Sequence, residues 1–142
     1  MRRVSVVFCF ILIGNSVTAG NLCESAAEEV QQVCRAVNQL RNREGVDPVR
    51  VDRHLNRVAE SYARTLAKRG ELTHGNFRKR MVRAGVRMPA AENIAVGQET
   101  PKGVVKDWTR SPGHFRNMTS GRFKRIGVGY HDKYWVQIFS VQ

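Results

Sequence analysis

The sequence of 142 residues lacks an apolar run long enough to cross a membrane. The longest run, Val4 to Ile13, has about ten residues, whereas a transmembrane helix needs about 20. It follows two arginines and precedes the small residues Val17-Thr18-Ala19. This order is typical of a secretory signal peptide. We therefore predict a signal peptide over residues 1–19, a mature chain from Gly20, and a secreted or periplasmic protein. A retained membrane anchor is the alternative.

Cysteine is scarce, and the mature chain has room for only one disulfide. Cys9 would leave with the signal peptide, while Cys23 and Cys34 would remain. A pair of cysteines in an oxidising compartment suggests a disulfide. However, Ser25-Ala26-Ala27-Glu28 is a capping box, which predicts a helix that starts near Ala26. Cys34 would then lie about 13 Å along the helix from its cap, and a bridge needs Cα atoms within about 7 Å. The sequence therefore leaves open whether Cys23 and Cys34 form a disulfide.

Acidic residues are half as many as basic ones, 12 against 24, and the net charge is +12. Such a balance can attract nucleic acid, anionic lipid or anionic glycan. The basic residues are densest in what we call the basic patch, namely Arg78, Lys79, Arg80, Arg83 and Arg87. Only Phe77 interrupts it as an aromatic, so base stacking is poorly supported and we expect no specific nucleic acid. The pattern favours a solvated face, with binding to an anionic surface, glycan or lipid as the alternative.

Two amphipathic helices are predicted first. Apolar residues at spacings of three and four run from Ala26 to Glu44, and again from Asp52, a plausible N-cap, to Gly70. We assign these helices to the core and give them no chemistry. Residues 20–142 contain no linker or repeat and form one predicted domain.

Two strands close the sequence. Arg125 to Tyr130 alternates apolar residues with two glycines, which suit close approach by a neighbouring element. Tyr134 to Val141 is mostly apolar on both faces, so this strand should be central and covered on each side. The fold class is therefore α+β, a three-layer α/β/α sandwich with a central antiparallel sheet.

Three polar residues are candidates for chemistry. His114 follows Ser111-Pro112-Gly113, which predicts the first turn of a short helix after the helix that ends at Trp108. His74 lies in a loop before Gly75. Glu92 stands among small and apolar neighbours, and a buried carboxylate is costly unless it is paired or binds a metal. Pairing of Glu92 with one of the many arginines is the simpler reading.

Together, two imidazoles and a carboxylate make an open three-ligand set for zinc or another divalent cation. The same groups without metal could act as acid and base. Their spacing matches no local motif, so spacing alone is weak evidence. We expect no organic cofactor.

Six motifs occur in the order typical of one family. They are Thr73-His74, Ala91-Glu92-Asn93-Ile94-Ala95, Trp108, Ser111-Pro112-Gly113-His114-Phe115-Arg116-Asn117-Met118, Ile126-Gly127-Val128-Gly129-Tyr130 and Tyr134-Trp135-Val136-Gln137-Ile138-Phe139. By these motifs the chain resembles the CAP superfamily of cysteine-rich secretory, antigen 5 and pathogenesis-related 1 proteins. The resemblance covers nearly all of residues 20–142 and implies the α/β/α sandwich, secretion and a central cavity.

The resemblance also assigns the cavity residues. His74, Glu92 and His114 match residues of the family's cavity tetrad, where some members bind zinc, and Asn93, Trp108, Ser111 and Asn117 would support the cavity. Animal and plant members usually carry a second glutamate where this chain has Ser111. That departure looks like the bacterial SCP-like branch and weakens any mechanism that needs two carboxylates.

From this we expect a protein that binds a divalent metal and an unidentified extracellular ligand without strong catalysis. A zinc-dependent hydrolase is one alternative, and lipid or sterol binding is another. A lipid binder would need an apolar groove, for which Met81, Val82, Val86 and Met88 are the candidates.

Overall fold

The computed structural model describes the backbone of residues 19–142 and the side chains of residues 28–142. All of the predicted signal peptide except Ala19 lies outside the described residues, so the start of the mature chain stays a prediction. Within residues 19–142, no helix is both long enough and apolar enough to cross a membrane.

Helices flank a small sheet in the described part of the chain. In chain order the elements are α1 (Ala19–Arg43), β1 (Arg50–Val51), α2 (Arg53–Arg69), α3 (Phe77–Arg83), β2 (Ala90–Val96), α4 (Pro101–Arg110), α5 (Pro112–Thr119), β3 (Arg125–His131) and β4 (Tyr134–Ser140).

Helix α1 begins earlier than the capping box predicts. Ser25 lies inside the helix, which is continuous from Ala19. A cap contributes only about 1 kcal/mol, and no glycine or proline interrupts residues 21–25. Cys23 and Cys34 thus lie on one helix about 16 Å apart along its axis, too far for a disulfide. Cys34 is a free, buried thiol.

The other helix boundaries follow the sequence signals. Asp52 caps α2 by accepting the backbone N–H groups of His54 and Leu55, and Gly70 ends the helix in a left-handed conformation. Thr100 caps α4 through the N–H of Gly103. Capping residues visible in the sequence therefore mark the start of α2 and α4, and a glycine marks the end of α2.

The sheet has the strand order β1-β3-β4-β2. Strand β4 pairs antiparallel with both β2 and β3, and the two-residue β1 pairs parallel with β3. The prediction that Tyr134 to Val141 forms a central strand is confirmed. Strand β2 is an edge strand, and it pairs Glu92 with Ile138 and Asn93 with Gln137 of the interior strand β4.

Two buried clusters cover the two sheet faces, which confirms the three-layer architecture. Trp135 and Phe139 pack with residues of α1, α4 and α5 on one face. Val136 and Ile138 pack with residues of α2 and α3 on the other. The glycines of β3 allow α2 to approach closely, because a Cβ on Gly129 would lie only 2.1 Å from the backbone nitrogen of Glu60.

Candidate functional site

Glu92 is the most deeply buried carboxylate of the candidate site. Its side chain is only 1% exposed. Oε1 accepts a hydrogen bond from Nδ1 of His74 at 2.9 Å, and Oε2 is paired with the guanidinium of Arg80. A buried charge is costly unless it is compensated, and here both oxygens have partners. The expected pairing of Glu92 with an arginine is thus present, together with a contact to His74.

The loop between α2 and α3 fixes the backbone at His74. The hydroxyl of Tyr62 donates to the carbonyl of Thr73 at 2.7 Å, and Arg80 donates to the carbonyl of His74 at 3.1 Å. The N–H of Gly75 donates to the hydroxyl of Thr73. These bonds hold the loop while the His74 side chain remains about half exposed, at 52%. The imidazole is therefore anchored at one nitrogen and open to solvent.

Arg80 has a different role from that of a solvated charge in the basic patch. Its guanidinium carbon lies 3.4 Å from the centroid of the Tyr62 ring, a stacked cation–π contact. The same group pairs with Glu92. Within the described residues, its Nε is buried without a hydrogen-bond partner. Arg80 joins α3 to β2 and to the His74 loop, so the solvated-face reading is wrong for this member of the patch.

His114 lies in the first turn of α5, as the sequence predicts. Its ring packs edge-on against Trp108, with centroids 6.5 Å apart. Burial, and then the nearby charge of His74, lower the pKa of His114. The imidazole is therefore held neutral at physiological pH, with its lone pair available.

A chain of amides ties α5 to the sheet. Nδ2 of Asn117 donates to Oδ1 of Asn93 at 2.8 Å, and Nδ2 of Asn93 donates to Oε1 of Gln137 at 2.9 Å. Asn93 also donates to the carbonyl of His114 at 3.3 Å. Asn93 and Gln137 are fully buried. The network fixes the start of α5, and with it His114, relative to β2 and β4.

The other residues expected to support the cavity differ in their contacts. The indole N–H of Trp108 donates to the carbonyl of Ile94 at 3.3 Å, which holds α4 against β2. Ser111 makes no side-chain cap bond to α5. Its carbonyl accepts the N–H of Phe115 at 2.8 Å, so it acts through the backbone turn between α4 and α5.

Within the described residues, no group of three His, Cys, Asp or Glu side chains is arranged to hold a metal ion. Both oxygens of Glu92 are engaged by His74 and Arg80, so the carboxylate is not a free third ligand. The donors that remain are ring nitrogens of His74 and His114. Two imidazoles are fewer than the three or four protein ligands of a typical zinc site.

The candidates for an apolar groove do not form one. Met81 and Val86 are buried in the core against α2 and the sheet, whereas Val82 is 62% and Met88 38% exposed. Met81 and Val82 lie in different environments because only one face of α3 meets the core, and Val86 and Met88 lie beyond the end of that helix.

Sequence reasoning missed two contributors to the site. Tyr62 was assigned to the core, although its hydroxyl and ring hold the His74 loop and Arg80. Gln137 had no role, although its position as a polar residue in an otherwise apolar strand was a usable signal. Buried polar residues are normally hydrogen-bonded, and such a residue predicts a partner.

Comparisons with known proteins agree with this architecture. The family model CAP: Cysteine-rich secretory protein family matches residues 34–139. The Bacillus subtilis (strain 168) protein YkwD is 32% identical over 133 residues, which is 88% of this chain and 51% of YkwD. Human Golgi-associated plant pathogenesis-related protein 1 is 29% identical over 114 residues, 69% of this chain and 70% of that protein.

A solved structure shares the fold. The extracellular SCP-domain protein of Bacillus anthracis superposes with a TM-score of 0.81 at 24% identity, covering 91% of this chain and 45% of that one. The chain spans about half the length of this protein and of YkwD. The family match extends over most of the described residues and includes every element from β1 to β4. The chain therefore belongs to the CAP family of cysteine-rich secretory proteins.

Proposed function

We propose that this chain is a secreted CAP-domain protein that binds a divalent cation, zinc foremost, through His74 and His114, and also binds an extracellular ligand without strong catalysis. The observation that carries the cation proposal is the 2.9 Å contact between Nδ1 of His74 and Oε1 of Glu92. A carboxylate accepts from a ring nitrogen that carries the proton. The Nε2 atom of His74 then keeps its lone pair for a ligand.

Glu92 orients His74 in this proposal and is not itself a ligand. A carboxylate hydrogen-bonded to the far nitrogen of a metal-binding histidine fixes the ring and raises its basicity. Arg80 holds the carboxylate in place through its other oxygen. The lowered pKa of His114 keeps the second imidazole neutral, which cation binding requires. A bound cation would supply a Lewis acid with open positions for water or ligand.

Binding is better supported than hydrolysis. A zinc hydrolase of the His-Glu-x-x-His kind uses a carboxylate as general base beside its metal ligands. Both oxygens of Glu92 are occupied by His74 and Arg80, and this chain has Ser111 where animal and plant members of the family usually carry a second glutamate. The site therefore offers ligands for a cation but no unengaged carboxylate for proton transfer.

Two observations support export. Residues 1–19 have the basic start, apolar run and small residues of a signal peptide, and similar proteins are described as extracellular or outer surface proteins. The Bacillus anthracis protein is described as extracellular. A structurally similar protein of Borrelia burgdorferi, with a TM-score of 0.65, is described as an outer surface protein. We expect N-terminal sequencing of protein from the medium or periplasm to begin at Gly20. Recovery of the full-length chain in the membrane fraction would contradict this.

A calorimetric zinc titration at neutral pH tests the cation site. We expect one zinc per chain for the wild type and none for His114→Ala, while Glu92→Gln binds about 10–100-fold more weakly. His131→Ala is the matched control, since it removes a histidine at the end of β3, and it should bind as the wild type does. Absence of zinc binding to the wild type would contradict the proposal.

A further inference from the structure

A groove of about 550 Å³ lies between α2 and α3. Five basic side chains line it: Arg57, Arg69, Lys79, Arg80 and Arg83. Only three of them belong to the basic patch; the other two come from α2, to which the sequence assigned no chemistry. Arg78 and Arg87 do not line the groove. The fold thus builds a concave basic surface that the linear sequence does not show.

Helical spacing explains how α2 contributes. Arg57, Ser61, Thr65 and Arg69 recur every four residues and line the groove together. Residues at this spacing share one helix face, and the row extends about 18 Å along the axis at 1.5 Å per residue. Lys79, Arg80 and Arg83 form the corresponding face of α3. An extended ligand could therefore meet positive charge along its whole length.

Four of the five basic residues of this groove lack acidic partners within the described residues; the fifth, Arg80, pairs with Glu92. No acidic residue is among those that line it. Over residues 28–142, the ion pairs include Arg64 with Glu60 and Arg80 with Glu92, but none that involves Arg57, Arg69, Lys79 or Arg83. These four side chains are exposed. Like charges that face one concave surface repel one another, and a bound anion would relieve that repulsion.

We propose that the groove between α2 and α3 binds a linear polyphosphate chain, a polyanion without bases or lipid tails. The three guanidinium groups that have no acidic partner in the described part of the chain, those of Arg57, Arg69 and Arg83, favour this chemistry. The planar fork of arginine matches the oxygens of a phosphate in a bidentate contact. Arg80 is held in place by Tyr62 and Glu92, so it fixes one wall of the groove, while Glu92 compensates its charge. Arg57, Arg69 and Arg83 can adjust to successive phosphates. The groove shares Tyr62 and Arg80 with the support of the cation site, but neither His74 nor His114 lines it.

Two other anionic partners fit the groove less well. Single-stranded nucleic acid is bound by stacking bases on aromatic rings, and the aromatic side chain in the groove, Tyr62, is already covered by Arg80 at 3.4 Å. A lipid surface is broad, whereas the charges line a concavity between two helices. The most exposed apolar residue of α3, Val82, does not line the groove.

The experiment measures binding of linear inorganic polyphosphate to the mature protein at about 0.15 M ionic strength, where surface charges more than about 8 Å apart are screened. The test variant is Arg57→Ala/Arg69→Ala, which removes two exposed charges and touches neither His74 nor Glu92. We expect at least ~10-fold weaker binding, because the variant loses two charge-assisted arginine contacts to phosphate.

The matched control is Lys106→Ala/Arg110→Ala, which removes two exposed charges from α4 on the opposite face of the sheet. This control variant should bind polyphosphate with wild-type affinity. Addition of a metal chelator should not change the polyphosphate affinity of either double variant. An equal loss in both double variants would show non-specific attraction and overturn the proposal. Binding to phosphatidylglycerol vesicles or to an oligonucleotide, but not to polyphosphate, would also overturn it and identify the other partner.

Discussion

Glu92 and Arg80 form a buried ion pair, and the same carboxylate also accepts a hydrogen bond from His74. This ion pair therefore stabilises the fold and also positions a residue of the candidate cation site. The Glu92 side chain is 1% exposed and that of Arg80 20%. Removal of one partner from such a pair leaves an uncompensated charge. This relationship links strand β2, helix α3 and the His74 loop, and it leads to a first prediction about stability.

Replacement of Glu92 should destabilise the protein much more than replacement of a surface glutamate. We expect Glu92→Ala to lower the free energy of unfolding by about 3–5 kcal/mol, because it strands the charge of Arg80. Glu60→Ala is the matched control: Glu60 pairs with Arg64 in an exposed i,i+4 contact, which contributes at most about 0.5 kcal/mol. Urea unfolding measures both, and equal losses would refute the buried-pair account.

Arg41 provides a second test of buried charge. Its guanidinium is fully buried and donates to the carbonyls of Asp47, Met118, Ser120 and Phe123 at 2.6–3.2 Å. These bonds tie the end of α1 to the segment between α5 and β3. We expect Arg41→Ala to cost at least ~3 kcal/mol, because several carbonyls lose their donor.

The control for Arg41 lies two residues away. Arg43 is exposed in the last turn of α1, and Arg43→Ala should change the free energy of unfolding by no more than about 0.5 kcal/mol. Both variants exchange arginine for alanine in α1, so the change in helix propensity is the same. Thermal or urea unfolding of the two variants therefore measures the contribution of the buried Arg41 hydrogen bonds. Similar stabilities would contradict the role of Arg41.

Packing of α2 on β3 depends on glycine. A Cβ at Gly129 would lie 2.1 Å from the backbone nitrogen of Glu60, so α2 must move if one is added. We expect Gly129→Ala to destabilise the protein by about 3 kcal/mol or more, at or beyond the upper end of typical overpacking costs. Gly121→Ala is the control, because its Cβ would have no neighbour nearer than 4.0 Å. A soluble Gly129→Ala protein of wild-type stability would contradict this packing.

The free energy of unfolding should fall as the pH is lowered, because His114 becomes protonated more readily in the unfolded chain. Its pKa is lowered in the folded state, mainly by burial, so the unfolded chain binds the proton more readily. The contribution of His114 is therefore fully present above its unfolded pKa of about 6.5 and is lost as pH falls through the lower folded value. Between neutral pH and pH about 5, His114→Gln should lose less stability than the wild type. Parallel pH profiles of unfolding would contradict the assignment.

Much of the fold could be predicted because its signals are local or periodic. Asp52 and Gly70 mark the ends of α2, and the apolar faces of Tyr134 to Val141 identify a central strand. The family motifs place His74, Glu92 and His114 in one region. The helix and strand signals depend on residues a few positions apart, where caps and periodicity act. The grouping of the three candidate residues comes instead from the family resemblance, because their spacing matches no local motif.

What could not be predicted depends on contacts between distant segments. Nothing in the run from Arg78 to Arg87 distinguishes Arg80, which folds inward onto Tyr62 and Glu92, from its exposed neighbours. The groove likewise combines α2 with α3, and only their packing brings Arg57 and Arg69 to the basic patch. Strand β1 is two residues long, too short for any periodic signal.

Ring-nitrogen NMR of the histidines, with and without one equivalent of zinc at neutral pH, tests the central claim most directly. Our account predicts that Nδ1 of His74 keeps its proton, because it donates to Glu92, while Nε2 of His74 and one ring nitrogen of His114 shift on zinc addition. The ring signals of His131 should not change. Ring nitrogens of His74 and His114 that do not respond to zinc would show that Glu92, Arg80 and His74 form a structural cluster, and would contradict a cation site.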